Sequence, residues 1–326
     1  MPNECDDVRA FWIEDRSLGA IRAGDSLLPK SGEVVVETLF SGISRGTETL
    51  VFQHRVPPSQ YAAMRCPFQE GEFPAPVKYG YSVVGRVVHG PENLLGRVVF
   101  VLHPHQTRFA VPAMAAVPIP PEVPPGRAVL AANMETALNG VWDAEVIAGD
   151  RVCVIGAGVV GLLTGWLAAG IPGVSVLLTD TDSAKATAAW ALGLPFQRDA
   201  EGAGDFEIIV HASGNPEGLR TALAMAAFEA RIIEMSWFGD REVSLPLGET
   251  FHSRRLSIRS SQVGAVAASR RARWTHRRRL ELALRLLAHD RLDALISGES
   301  PFESLPEVMR NLAEGKRPAL CHRIRY

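Results

Sequence analysis

The sequence predicts an α/β chain of two units, one β-rich and one built on a doubly wound parallel sheet, from three observations. Residues 151–161 read Arg-Val-Cys-Val-Ile-Gly-Ala-Gly-Val-Val-Gly. That is an apolar run feeding a GxGxxG pattern, the way a buried strand passes through a tight turn into a helix. Residues 152–179 run 28 positions without a charge, as expected of a parallel sheet covered on both faces. Residues 8–120, by contrast, break into short Val-rich runs separated by Gly and Pro, the mark of a mostly β region.

The clearest strands of the β-rich part are 34–36, 83–84, 87–88 and 98–102. Proline clusters at 57–58, 74–76, 118–121 and 124–125 mark loops, the last of them the hinge into the second unit. An apolar helix pattern over 127–142 leads into the strand before the glycines. The helix at 162–169 ends at Gly170-Ile171-Pro172-Gly173, and 174–179 is a second strand that stops at Asp180. Strands at 206–210, 230–235 and 256–258, with a helix at 217–228, continue the sheet. Helices at 280–287 and 304–313 follow, and 319–324 returns as a strand to the first unit. The expected boundaries are 1–122 with 264–326 for the β-rich unit and 123–263 for the parallel-sheet unit.

The uncharged run exceeds the roughly 20 residues that span a bilayer. Glycines at 156, 158, 161, 165, 170 and 173, with Pro172, nevertheless cut it into strand, helix and strand. Glu4, Asp6 and Asp7 precede any apolar run, unlike a signal peptide. Lys and Arg number 34 against 36 Asp and Glu, a net charge of −2, which does not favour a nucleic-acid or anionic-membrane partner. Cys5, Cys66, Cys153 and Cys321 are scattered without a CxxC pair, so a reducing cytoplasm is expected.

Each glycine of the motif has its own task. Gly156 permits the turn, Gly158 lets a pyrophosphate approach the backbone, and Gly161 lets the new helix pack on the strand. Val159 and Val160 open that helix, whose free N–H groups and positive end suit an anion. Asp180 lies 19 residues after Gly161. An acid there accepts from the ribose 2′-hydroxyl and repels a 2′-phosphate, so NAD is expected over NADP.

Four pieces resemble the medium-chain dehydrogenase/reductase superfamily. They are Ser41-Gly42-Ile43-Ser44-Arg45-Gly46-Thr47-Glu48, Gly80-Tyr81-Ser82-Val83-Val84-Gly85, Thr136-Ala137, and the Asp180 to Lys185 ribose grip. The first two are most similar to bacteriochlorophyllide-type dehydrogenases. The resemblance covers nearly the whole chain. It implies a GroES-like β-rich catalytic domain, a Rossmann domain, and a small-molecule substrate in the cleft between them. It also implies a homodimer joined near 256–258, Arg45 at the pyrophosphate and Thr136 beside the nicotinamide. Ser213, Gly214 and Ser236 fall at C-terminal strand ends, where doubly wound sheets bind ligands.

The departures from that family bear on the chemistry. The family's zinc-ligand positions are filled by Ser44, Tyr81, Ser82 and Ala132, and no cysteine follows 98–102 where a structural zinc lobe would stand. Hydroxyls and a methyl do not replace thiolates and imidazole on Zn²⁺, so no zinc is expected. A proton donor must then stabilise charge on the reacting oxygen. Tyr81 is the first candidate, with packing under a loop as its ordinary alternative. Ser44 and Thr47 can bind substrate or relay a proton, or cap a turn. His103 and His105 can act as acid or base or be plain loop histidines, and Glu135 is a carboxylate placed by position alone. The expected activity is zinc-independent, NAD(H)-dependent interconversion of an alcohol and a carbonyl. An NADPH-dependent enoyl or quinone reductase and a non-catalytic dinucleotide-binding redox sensor stand as alternatives, and tetrapyrrole, pterin, sugar and simple alcohol substrates all stay open. Residues 270–279 hold six arginines. They read as a solvated loop and helix start, with a patch for an anionic substrate or partner protein as the functional alternative.

Overall fold

The computed structural model describes residues 8–200 and 204–326, which fall into two compact units. One holds residues 8–132, 284–290 and 296–326, and the other holds 133–283 and 291–295.

The β-rich unit is built on a seven-stranded sheet. Its order is Ile296–Pro301, Cys321–Arg325, Glu33–Ile43, Val83–His89, Val98–Val101 and Val117–Pro118, with Arg108–Pro112 also paired to Glu33–Ile43. Alternate side chains of a strand share a face, so Val34, Val36, Val83, Val87, Val99, Val101, Phe109 and Val111 form one buried cluster. The chain does return as expected: His322 to Arg325 pair antiparallel with Ile43 to Phe40. A second, four-stranded sheet contains Arg9–Asp15 and Leu18–Ala23.

The other unit carries six parallel strands in the order Phe196–Gln197, Ser175–Thr179, Arg151–Ile155, Phe206–His211, Ala226–Glu234 and Ser257–Ser260. Numbered along the chain this is 3-2-1-4-5-6, the doubly wound order whose reversal point lies between its first and fourth strands. Their C-terminal ends carry Gly156 and Ser213. Cys153, Ile155, Ile209, Ile232 and the inner face of helix Pro216–Met225 pack as one core.

Two boundaries differ from expectation. Residues 123–132 fold with the β-rich unit, where the Arg127 guanidinium donates to the carbonyls of Leu287 and Ala288 at 3.2 Å each. Residues 264–283 fold with the parallel sheet, because Asn139 Oδ1 accepts from the Ala267 N–H at 3.1 Å and from Arg279. The helix expected at 217–228 stops at Met225. Ala226 is already extended, and Glu229, at φ 58°, sits in an irregularity of the strand that follows. No helix among the described residues is long and apolar enough to cross a membrane.

Candidate active site

Around the glycine turn the sequence-predicted residues converge. Gly156 has φ 110°, and a Cβ on it would lie 2.6 Å from the Ser213 backbone nitrogen. A Cβ on Gly161 would lie 1.9 Å from the Gly156 carbonyl oxygen. Both positions therefore exclude side chains. At Gly158 a Cβ would meet nothing within 4 Å, so the space above it is open. Gly158 is the N-cap of helix Val159–Ala169 and provides no side-chain cap, which leaves the first-turn N–H groups of Val159, Val160 and Gly161 for an anion. Asp180 closes the turn. Its Oδ2 accepts from the Ala157 N–H at 2.7 Å and from Lys185 Nζ at 3.3 Å, and its Oδ1 accepts from the Asp182 N–H at 2.9 Å.

On the neighbouring strand ends the Gly214 N–H donates to Ser236 Oγ at 3.0 Å, and the Ser236 N–H donates to Glu234 Oε1 at 2.7 Å. Ser213 Oγ lies 2.6 Å from His211 Nε2, and His211 Nδ1 lies 2.7 Å from Glu234 Oε2. Sequence reasoning missed His211 and Glu234. Their signal was present: each closes an otherwise apolar strand stretch, Ile208-Ile209-Val210 and Ile232-Ile233, and a polar group buried at such a place needs a partner.

In the β-rich unit the structure brings Tyr81, Ser44 and Thr47 together, the Tyr81 hydroxyl sharing hydrogen bonds with both neighbouring hydroxyls. Burial raises the phenol above its usual range and the Glu48 charge adds to this, while the two hydroxyl contacts oppose it. Tyr81 is thus held as the neutral phenol. Ser44 is the N-cap of helix Arg45–Phe52, and its N–H donates to Glu48 Oε1 at 2.7 Å. Glu48, 2% exposed, reaches His105 Nε2 with its other oxygen at 2.8 Å. His105 Nδ1 lies 2.7 Å from Ser41 Oγ, which lies 3.0 Å from the Tyr326 hydroxyl. Glu48 stands in the sequence motif, but its partner does not, so only the fold reveals their pairing.

The remaining candidates stand elsewhere. His103 is buried, its ring stacked on Phe109 at 3.7 Å, and its Nδ1 donates to the Pro104 carbonyl at 2.9 Å. Burial lowers its pKa to about 3, so near neutral pH it is an uncharged packing group with little capacity as an acid or base. Glu135 is buried against Arg279, with Nε 3.0 Å from Oε1; burial raises its carboxyl pKa and Arg279 opposes this. Arg279 itself is 1% exposed and also donates to Asn139 and to the Val263 carbonyl. That corrects the solvated reading for this one arginine of the cluster; Arg270, Arg271, Arg273, Arg277 and Arg278 are exposed. Arg45 is exposed and donates to the Ala319 carbonyl at 3.3 Å, and Thr136 is half-buried on helix Ala131–Ala144.

Fold and site together define a doubly wound parallel-sheet unit, with a glycine turn at the C-terminal end of its first strand, joined in one chain to a β-rich unit. No protein-family model matches the sequence, and no curated protein matches it. Solved structures do match. A short chain alcohol dehydrogenase from Escherichia coli CFT073, complexed with NADH, has TM-score 0.78 at 17% identity over 98% of this chain and 100% of its own. L-idonate 5-dehydrogenase from Escherichia coli has TM-score 0.79 at 16% identity over 98% of each chain. A putative zinc-binding dehydrogenase from Sinorhizobium meliloti 1021, bound to NADP, has TM-score 0.77 at 17% identity over 98% of this chain and 99% of its own. The chain therefore has the alcohol-dehydrogenase-like fold, a GroES-like unit and a Rossmann unit, that the sequence resemblance implied.

Proposed function

We propose that this protein is an NAD(H)-dependent oxidoreductase that interconverts an alcohol and a carbonyl without a metal ion, with Tyr81 as its proton donor. The observation that carries the proposal is the neutral Tyr81 phenol bonded to Ser44 and Thr47. The structural neighbours crystallised with NADH and NADP support a dinucleotide-linked activity.

The residues at the family's metal positions do not fit zinc. Ser44 and Tyr81 offer neutral hydroxyls, Ala132 offers a methyl, and the Ser82 hydroxyl donates to the Val129 carbonyl. Cys66, Cys153 and Cys321 are buried thiols, pushed up to about 12 by burial, and none of them stands at those positions in the sequence. Among the described residues no group of three His, Cys, Asp or Glu side chains is placed to hold a metal ion.

The nicotinamide cofactor fits the glycine turn, and when bound it supplies or takes the hydride. Gly158 and the N–H groups of 159–161 hold its pyrophosphate. Asp180, with a spare lone pair on Oδ1, would accept from a ribose hydroxyl and disfavour a 2′-phosphate. Lys185 keeps that carboxylate in place. In the β-rich unit Tyr81 donates a hydrogen bond to the substrate oxygen and gives up its proton as negative charge develops there. Ser44 and Thr47 donate to the phenol oxygen as it loses that proton. The proposal extends to a homodimer through Ser257–Ser260, an edge of the six-stranded sheet, because an unpaired edge favours strand pairing with a second copy.

Tyr81→Phe removes the proton donor and keeps the ring. Turnover on a panel of alcohols and ketones should fall by about 10² to 10⁴ while NADH affinity stays unchanged. Full activity in Tyr81→Phe would overturn the assignment.

A further inference from the structure

The hydride-transfer proposal leaves Glu234, His211 and Ser213 without a chemical task, yet they stand in line. Glu234 Oε2 lies 2.7 Å from His211 Nδ1, and His211 Nε2 lies 2.6 Å from Ser213 Oγ. His211 is fully buried and lies under the Phe238 ring at 6.1 Å, 16° from parallel. A carboxylate accepts only from an N–H, so Nδ1 carries the ring proton and Nε2 faces the serine as an acceptor.

Ser213 itself is exposed. It sits on the turn from strand Phe206–His211 into helix Pro216–Met225, at the C-terminal edge of the parallel sheet. The Asn215 N–H donates to Ser213 Oγ at 3.1 Å, which favours negative charge on that oxygen. The first turn of the helix comes close because residue 218 is glycine. A Cβ there would lie 2.6 Å from Ser213 Oγ and 2.7 Å from His211 Nε2. The positive end of a ten-residue helix is thereby brought against the hydroxyl.

We propose that Ser213 is a base-activated nucleophile that accepts acyl or phosphonyl groups from small activated esters. A hydroxyl bonded to an imidazole that a carboxylate orients is the arrangement that makes serine nucleophilic, and geometry rather than chain order defines it. Ser213 Oγ attacks the carbonyl carbon while its proton passes to His211 Nε2. The tetrahedral adduct then breaks its bond to the leaving alkoxide, which takes that proton, and Ser213 is left as the ester. Water, deprotonated by His211 Nε2, attacks this ester; the acid departs and the proton returns to Ser213. With a fluorophosphonate the same attack breaks the P–F bond, fluoride leaves, and the serine proton stays on His211.

A fluorophosphonate reporter incubated with the full chain, followed by peptide mass spectrometry, tests this without any dehydrogenase assay. The expected result is an adduct on Ser213, lost in Ser213→Ala. His211→Gln should slow labelling by about 10²-fold, the scale of a lost general base, with Glu234→Gln in between. Gly218→Ala disturbs the pair from the helix side, since the added methyl would come within 3 Å of both Ser213 Oγ and His211 Nε2. Its labelling should fall, and circular dichroism of each variant reports whether the fold is kept. No adduct on wild-type Ser213, or labelling as fast in His211→Gln and Gly218→Ala as in wild type, would overturn the proposal.

Discussion

Around the glycine turn the groups left for a ligand are backbone N–H donors and one carboxylate, whereas in the β-rich unit they are hydroxyls standing on a buried chain of side chains. In the first, Asp180 bonds Ala157 only 23 residues away, and the space above Gly158 is open. In the second, Glu48 bonds His105 across 57 residues and Ser41 meets Tyr326 across 285. Such a chain is cooperative, because each buried polar group depends on the next for its hydrogen bond. Loss of one atom at the glycine turn should therefore alter ligand affinity and little else. Loss of one group from the buried chain beneath the hydroxyls of the other unit should alter stability first.

The largest expected effect follows from Glu48→Ala, which strands His105 and the Ser44 N–H in a dry interior. Breaking a buried, hydrogen-bonded pair from one side costs about 3 to 5 kcal/mol. Urea unfolding should show that loss, and a midpoint close to wild type would break the contrast between the units.

Next is the acid response of the β-rich unit. The pKa of His103 falls from its ordinary 6.5 to about 3 in the folded chain, so the folded state favours the neutral ring. That stabilisation is complete above pH 6.5 and is lost as pH falls from there toward 3, a matter of a few kcal/mol at most. His103→Phe keeps an aromatic ring against Phe109 and has nothing to titrate. The difference in urea midpoint between wild type and variant should shift with pH across that window; a constant difference would show that His103 is not held neutral.

Asp180→Ser comes third, with a change in preference rather than in folding. Loss of a charge-assisted hydrogen bond to the ribose should narrow the NADH over NADPH preference by about 1 to 3 kcal/mol, read by nicotinamide fluorescence. An unchanged ratio would remove Asp180 from cofactor selection.

Gly158→Ala should have the smallest effect on stability. Its backbone, at φ −76° and ψ 176°, suits alanine, and the methyl meets nothing. Unfolding should stay within about 0.5 kcal/mol of wild type while NADH titration weakens, because the methyl occupies the approach to the helix N-terminus. A destabilised Gly158→Ala with unchanged NADH affinity would reverse the comparison.

The glycine turn was legible because its logic is local. Strand, turn and helix follow from the order of residues 151–169, and the doubly wound sheet follows from repeating that pattern. Tyr81, Ser44 and Thr47 were legible as types at aligned positions. Their convergence on one hydroxyl cluster was not, since it depends on how Val83–His89 and Glu33–Ile43 pair in register. Glu234 and His211 are no farther apart in sequence than Asp180 and Ala157, but no glycine motif marks them, and neighbouring parallel strands bring them into contact only once the crossover helix has packed.

Charge runs show the same division. Arg278 and Arg279 are adjacent and chemically identical, yet one lies over the Trp274 ring at the surface and the other is the core partner of Glu135. By itself the sequence determined the two fold classes, the glycine turn and the acid that ends the following strand, since backbone geometry and periodicity act over a few residues. Only the tertiary structure decided which polar side chains are buried together, because dehydration and pairing depend on every element that closes around them.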